Sequence, residues 1–327
     1  MRYYDLILTD PGGKATTITS HPGGKLDPGA LNIIFDVTTT VGDMPLNQPT
    51  IMIEGVSLPL LSNARNFSAA VQPDGSIKGG YNLLLKCGMQ KGLPLANPAQ
   101  TGSILSGSVF QSWGNWAGTE MNISFVIVPT MYSYDQPGNL TFRWLPGQTL
   151  QAALTQTFSI AYPSLKPTFA IKNIIAGPDG DYCYHATFTS LAQHIQESTA
   201  APGYEGVRMS LTPTGIAVFD GTTQPKPKQI SFQDFVGQPT WIEYNMIQIV
   251  CVMRGDIQVG DTVQLPNGIM SQPGLVTMQP QARPAYANYN TVIKGLFTVV
   301  QMRHLGNYRD PNGMSWVTVM NCVTMAQ

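Results

Sequence analysis

Leu31-Asn32-Ile33-Ile34-Phe35-Asp36-Val37 is the stretch from which the fold can be read. Leu31, Ile33, Phe35 and Val37 alternate with Asn32 and Asp36, so every second side chain falls on one face. A period of two belongs to a β-strand with one buried and one mostly wetted side. The same signature recurs outward from there. Ile51-Met52-Ile53 and Tyr81 to Cys87 are short apolar runs, and Met121, Ile123, Phe125 and Ile127 alternate with Asn122 and Ser124. Turn clusters separate them at Asp10-Pro11-Gly12-Gly13, Pro73-Asp74-Gly75-Ser76 and Leu105-Ser106-Gly107. Gly frees φ, Pro presets it, and Asp or Ser bonds the nearby backbone, so each cluster suits a chain reversal. Four or more strands at this spacing predict a small antiparallel barrel or sandwich over residues 1–130.

The period then changes. Leu150, Leu154, Phe158 and Ala161 recur at helical spacing, and Pro163 ends the run. Ser190-Leu191-Ala192-Gln193 reads as a capping box for a second helix, with Leu191 and Ile195 on its inner face. A helical, mixed α/β insert is expected over 131–205. Strand signals return with Val207, Met209 and Leu211, then Thr212-Pro213-Thr214-Gly215, then Ile216 and Val218, which together make a hairpin. Ser231 to Phe235 suits a helical turn stopped by Gly237. Trp241 to Met253, Ile257 to Leu265, Leu296 to Met302 and Trp316 to Val323 are strand candidates. They predict a second barrel over 206–327, interrupted by a loop at 266–291 rich in Pro, Gly, Gln and Met. Loops of that length in compact domains are usually functional or disordered. The expected class is mainly β (α+β): two antiparallel β-barrel domains of similar size with a small insert between them.

Composition narrows the function. A chain of 327 residues exceeds what one core accommodates, so two or three domains are expected. Hydrophobic residues make up 43%, whereas charged residues make up only 11%, against roughly 25% in an average soluble protein. Disorder needs the opposite balance. The pattern suggests a surface largely covered by something other than water, as in a subunit of a large assembly. Scattered Gly (32) and Pro (25) residues cut the chain into short elements. A net charge of −1 with no Lys/Arg-rich run supplies no field to attract nucleic acid or anionic membrane. The N-terminus, Met1-Arg2-Tyr3-Tyr4-Asp5-Leu6, has no signal-peptide core, and no stretch approaches the ~18 apolar residues of a membrane helix. The expectation is a protein made in a cytosol, neither exported by that route nor anchored in a membrane.

Catalytic and metal-binding patterns are missing from the sequence. Cys87, Cys183, Cys251 and Cys322 lie far apart and form no CxxC pair, so neither a zinc finger nor a vicinal redox site is expected. Three of them sit in apolar runs and read as reduced core thiols. Of the four histidines, His21 lies in a Pro-Gly loop and His194 on the second helix without an HExxH motif. His185 lies near Cys183, but Cys183-Tyr184-His185 has no supporting thiol-enzyme motif. Pro-Gly-Gly-Lys occurs at 11–14 and 22–25, yet Lys14 is followed by Ala15 and Lys25 by Leu26, so neither copy is a phosphate-binding loop. Asn66-Phe67-Ser68, Asn122-Ile123-Ser124 and Asn139-Leu140-Thr141 match the glycosylation tripeptide by chance in a protein that is not secreted. Nothing selects two of the 19 acids as a glycosidase pair. Trp113, Trp116, Trp144, Trp241 and Trp316 could form a sugar platform, but fit better as anchors of a core or subunit interface. No catalytic, cofactor-binding or metal-binding residue is therefore assigned from the sequence.

The order of phrases along the chain resembles the baseplate hub proteins of contractile-tailed bacteriophages, which are related to the base of type VI secretion spikes. Leu31 to Val37 is similar to that family's opening barrel strand, Leu83-Leu84-Leu85-Lys86-Cys87-Gly88 to its small-residue strand end, and Gly102-Ser103-Ile104-Leu105-Ser106-Gly107-Ser108-Val109 to the strand after it. Trp144-Leu145-Pro146-Gly147-Gln148-Thr149-Leu150 resembles the start of its inserted domain. Gly237-Gln238-Pro239-Thr240-Trp241 and Asp256-Ile257-Gln258-Val259-Gly260-Asp261-Thr262-Val263 follow in the second half. Gly295 to Asn307, with His304 and Gly306, then Trp316-Val317-Thr318-Val319, resemble the closing hairpin. The likeness spans nearly the whole chain.

The resemblance implies tube-like barrels and a homotrimer, in which three copies of two barrels make a pseudo-sixfold ring joining a sixfold tail tube to a threefold spike. It implies as partners a tail tube or tube-adaptor protein, the central spike protein and the tape measure protein, with DNA only in transit through the lumen and no cofactor. It implies a place in the virion tail baseplate after assembly in the host cytoplasm. The alternatives are a tail-associated carbohydrate- or receptor-binding protein, and a cell-wall hydrolase.

Overall fold

A computed structural model describes residues 1–41, 49–75, 77–89, 97–128, 139–223, 226–270, 272–273 and 292–324. Its first part holds β1 (Arg2–Thr9), β2 (Ala15–Thr19), β3 (Asn32–Thr40), β4 (Thr50–Glu54), the short helix α1 (Leu58–Ser62), β5 (Ala70–Val71), β6 (Ile77–Lys78), β7 (Asn82–Met89), β8 (Gly102–Ala117) and β9 (Glu120–Val128). The middle holds β10 (Leu140–Trp144), α2 (Leu150–Ala161), β11 (Pro167–Ala170), β12 (Asp181–His185), α3 (Phe188–Thr199), β13 (Arg208–Thr212) and β14 (Gly215–Phe219). The last part holds β15 (Lys228–Gln229), β16 (Thr240–Glu243), β17 (Met246–Val252), β18 (Thr262–Met270), β19 (Gln272–Pro273), β20 (Val292–Asn307) and β21 (Trp316–Thr324). The protein is mainly β.

Strands of the first and last parts join one 14-stranded sheet, antiparallel apart from the short β15–β18 and β16–β19 pairs. Its order runs β19-β16-β17-β21-β20-β3-β4-β9-β8-β7-β1-β2, with β18 on the other side of β20. Long strand β20 makes this continuity possible. Its first residues pair with β18, and Gln301 to Asn307 pair with Thr40 to Ile34 of β3. In the last part the pairing path turns back: β20 pairs β18, and β19, close behind β18 in the chain, pairs β16.

Period-two burial makes the cores. Ile33, Phe35 and Val37 of β3, Tyr4, Leu6 and Leu8 of β1, Leu83, Leu85 and Cys87 of β7, and Ile123, Phe125 and Ile127 of β9 share one cluster. β1 and β3 are not neighbours in the sheet, so the sheet must curl for both to reach that core. A second cluster packs α2 and α3 with β10, and a third fills the last part around Ile247, Ile249, Cys251, Val299 and Met320.

Several expectations need correction. The hairpin β13–β14, expected within 206–327, packs with the middle cluster through Val207, Met209, Ile216 and Val218. Helix α3 starts earlier than the expected capping box: Thr187 is the N-cap and accepts from the Ser190 amide, because Thr187 takes the extended conformation that a cap needs. Trp241 to Met253 is two strands, not one, with a bulge between Trp241 and Glu243. Ile257 to Asp261 is a turn, with Gly260 at φ +94° and the Gln258 amide donating to Asp261 Oδ2, so β18 begins only at Thr262. The expected loop at 266–291 begins as strand to Met270 and adds β19, and residues 274–291 lie outside the described residues.

Candidate functional site

The two β halves meet along a seam of small residues and buried charge. A Cβ on Gly102 would lie 2.2 Å from the Gly255 carbonyl oxygen, and one on Gly255 would lie 2.4 Å from the Cys87 carbonyl oxygen. Backbone therefore touches backbone where the turn after β17 abuts β7 and β8. The Gly255 amide donates to the Gln100 carbonyl, and Trp316 Nε1 donates to the Gly88 carbonyl at 3.0 Å. Met253 and Trp316 from the second half lie in the first half's core, with the Trp316 ring edge-on to Phe35 at 5.4 Å.

Arg254 anchors the polar side of this seam and is only 2% exposed. Its guanidinium holds Asp256 bidentately, Nε to Oδ1 at 2.8 Å and Nη2 to Oδ2 at 3.0 Å, and Nη1 reaches Asp234 Oδ2 at 3.3 Å and the Gln229 carbonyl at 3.2 Å. Burial pulls its pKa down, but the hydrogen bond and charge of Asp256 and the charge of Asp234 outweigh it, so the net direction is up. Gln100 of the first half donates to both Asp234 oxygens at 3.2 and 3.3 Å, carrying the network across the seam. An ion pair this buried adds little net stability, but losing one partner strands the other charge, a penalty of about 3–5 kcal/mol.

Other bonds sew the β20–β21 loop onto the first half. Arg2 donates to the carbonyls of Asn307, Tyr308, Asp310 and Asn312, and Arg309 to those of Pro28 and Ala30. The halves are thus joined by a ladder, a core contact and a charge network at once.

The outer limit of the sheet is β2, which pairs only with β1 among the described residues. Ser20 N donates to the Tyr4 carbonyl and Asp10 N to the Lys14 carbonyl. Bonded pairs alternate in an antiparallel ladder, so Thr16 and Ile18 turn their amides to β1. Ala15, Thr17 and Thr19 turn theirs away from it. Of the tryptophans, Trp144 and Trp316 are buried, and Trp241 is partly buried against the third cluster. Trp113 and Trp116, 45% and 61% exposed, stand near the β8–β9 turn. They pair with Ser124 and Met121 and, three residues apart on a strand, point to opposite faces.

Of the histidines, two are structural. His21 is buried with Nδ1 2.8 Å from Ser20 Oγ, and His304 is buried with Nδ1 3.0 Å from Thr318 Oγ1. Both Pro-Gly-Gly-Lys copies are exposed turns: Gly13 at φ +89° closes the β1–β2 hairpin, and Gly23 and Gly24 take positive φ in a 3₁₀ turn. Burial raises the thiols of Cys87, Cys251 and Cys322, and all three are core residues.

The remaining residues do come together. On β12 the alternation turns Asp181, Cys183 and His185 to the inner side, while Tyr182 and Tyr184 point outward. Helix α3 presents His194 to the same place. His185 Nε2 lies 3.1 Å from Cys183 Sγ, His185 Nδ1 lies 2.9 Å from Ser190 Oγ, and His194 Nε2 lies 2.7 Å from Asp181 Oδ2. Burial, then the Asp181 charge, pushes the Cys183 thiol up to about 11, and burial, then His194, pulls the His185 imidazole down. Those directions favour neutral thiol and neutral imidazole, the reverse of the thiolate–imidazolium pair that a nucleophilic cysteine uses. Spacing in sequence missed this group because it reads linear motifs. The available signal was the Cys-x-His alternation of a strand followed by a histidine on the next helix.

Two cavities among the described residues, of about 50 and 10 Å³, lie between the β3 end, the start of β8 and the β13–β14 turn. The larger has room for a few waters and the smaller for about one.

No family model and no curated protein matches this chain. Solved structures do. A tail protein of Neisseria meningitidis is 11% identical with a TM-score of 0.46, covering 98% of this chain and 96% of its own. A 43 kDa tail protein of a Shewanella oneidensis prophage is 10% identical with a TM-score of 0.47, covering 99% of both. An E. coli component of the type VI secretion system, described as structurally similar to T4 bacteriophage tail proteins, is 8% identical with a TM-score of 0.48, covering 90% of this chain and 73% of its own.

Proposed function

We propose that this chain is the structural baseplate hub of a contractile phage tail. Three copies form a ring, each giving two tube-like β-barrels with the middle region as an insert, and the ring joins a sixfold tail tube to a threefold spike. The observation that carries the reading is the fusion of two β halves, each with its own core, into one sheet through the β20–β3 ladder. A subunit that supplies two adjoining positions of a ring must hold its halves at a fixed angle. The ladder, the Gly102–Gly255 contact and the Arg254 network do that together.

Two further features support it. The outward amides of β2 offer an edge onto which a neighbouring copy can add a strand. A charge content of 11% suits a surface that is largely covered in an assembly. On this reading the partners are a tail tube or tube-adaptor protein, the spike and the tape measure protein, with DNA passing through. The carbohydrate-binding alternative gains nothing from Trp113 and Trp116, because rings on opposite faces of a strand do not make one stacking platform.

Native mass spectrometry and electron microscopy of the purified chain test the proposal. The expected result is a species of three chain masses and ring-shaped particles with a central hole. A chain that stays monomeric at every concentration, alone and when co-expressed with its spike, would overturn it.

A further inference from the structure

We propose that Cys183, His185 and His194 bind a divalent transition metal, with zinc(II) as the cation that fits best. The inference rests on the middle region alone and is independent of the tail reading. The ligand atoms offered by the three residues all lie within 4.8 Å of one another. In a tetrahedral zinc site, bonds of ~2.0–2.3 Å place ligand atoms about 3.3–3.6 Å apart. His185 Nε2 and Cys183 Sγ, at 3.1 Å, need to open slightly, and no pair needs to close by much more than about 1.5 Å. Side-chain rotation on a strand (Cys183, His185) and in the middle of a helix (His194) supplies that range without moving backbone.

The surroundings match a metal site more closely than the three ligands alone require. Each imidazole has one nitrogen held by a partner outside the ligand set. Asp181 Oδ2 takes His194 Nε2, and Ser190 Oγ takes His185 Nδ1. A carboxylate or hydroxyl behind a ligating histidine fixes its ring and tautomer, and this arrangement recurs in metal sites. With Nδ1–H given to Ser190, the His185 Nε2 lone pair faces the thiol. Imidazole and thiolate together select zinc over magnesium or calcium, which need oxygen ligands. Cys183, His185 and His194 are each part-exposed, so an ion can enter and water can complete the fourth position. On binding, the Cys183 S–H bond breaks, sulfur bonds the metal and the proton passes to solvent. The bound ion would clamp β12 to α3, adding to the His194–Asp181 and His185–Ser190 hydrogen bonds that already join them.

The test uses the full-length chain stripped with a chelator, then titrated with Zn²⁺ and Co²⁺. One equivalent of Zn²⁺ per chain is expected, and Co²⁺ should give a thiolate-to-metal charge-transfer band. Cys183→Ser should abolish the band. His185→Gln and His194→Gln should each weaken Zn²⁺ binding at least tenfold, and Asp181→Asn by about 10–100-fold with all three ligands intact. Binding of less than one equivalent, binding without the thiolate band, or unchanged affinity in Cys183→Ser would overturn the proposal. Should a variant fail to fold, the Co²⁺ spectrum of the unaltered chain decides the question alone.

Discussion

His304 stands in the β20–β21 ladder opposite Thr318, 3% exposed, with Thr318 Oγ1 as its side-chain partner. Burial is the cause that pushes its pKa from 6.5 down to about 4, since the charged form has lost its water. Between those values the unfolded chain binds a proton that the folded chain refuses. Folding stability therefore falls as pH drops from about 6.5 toward 4, and is unaffected by this group above 6.5. At about 1.4 kcal/mol per pH unit, the loss is on the order of 3 kcal/mol. Denaturant unfolding at pH 7 and pH 4.5 should register much of it. In His304→Gln the corresponding part of the slope should vanish, and an unchanged slope would refute the assignment. The same burial logic separates Cys87, Cys251 and Cys322, closed in cores, from Cys183, which is half-open and beside two imidazoles.

Among the elements, the closing hairpin β20–β21 explains most about the sequence. Gly306 pairs with both Trp316 and Phe35, and a Cβ there would sit 2.2 Å from Phe35 Cζ. Gly306→Ala should therefore destabilise the protein by about 1–3 kcal/mol. A Phe35→Leu partner change should relieve part of that, a coupling that thermal or denaturant melts of the double-mutant cycle would detect. Additivity of the two changes would count against the contact. The alternation at 31–37 and 121–127 was legible because a strand turns every second residue to the same face. The small residues at 87–88 and 102 were legible only as phrases, and Gly255 was not singled out at all. Their reason, backbone against backbone across the seam, is a tertiary fact that no local pattern carries. For the same reason Thr187 escaped notice as the cap of α3, since its role depends on an extended backbone conformation that only the fold shows. The Arg254 network was equally hidden, because Gln100, Asp234 and Arg254 are more than a hundred residues apart at its widest.

For the whole molecule, the question is what the side of β2 turned away from β1 does, since no described strand pairs with it. β2 is the limit of a 14-stranded sheet, and its sequence Ala15-Thr16-Thr17-Ile18-Thr19 is short, exposed at Thr16 and Thr17, and carries no charge. Monomeric proteins usually protect such an edge with lysine, proline or a bulge. None of these stands within β2, as expected of an edge that is covered by another copy. Thr17→Pro discriminates between a covered and a free edge. The Thr17 amide points away from β1, so proline there breaks no bond of the β1–β2 ladder, whereas Thr16→Pro removes one. If neighbouring copies pair along β2, Thr17→Pro should leave the circular dichroism spectrum and the monomer melting temperature within about 1–2 °C of the parent, a shift of a few tenths of a kcal/mol. It should also raise the trimer dissociation constant at least tenfold in sedimentation equilibrium, about 1.4 kcal/mol. Thr16→Pro should instead lower the melting temperature directly. If Thr17→Pro trimerises as well as the parent, copies meet through another surface and β2 is not the joining edge.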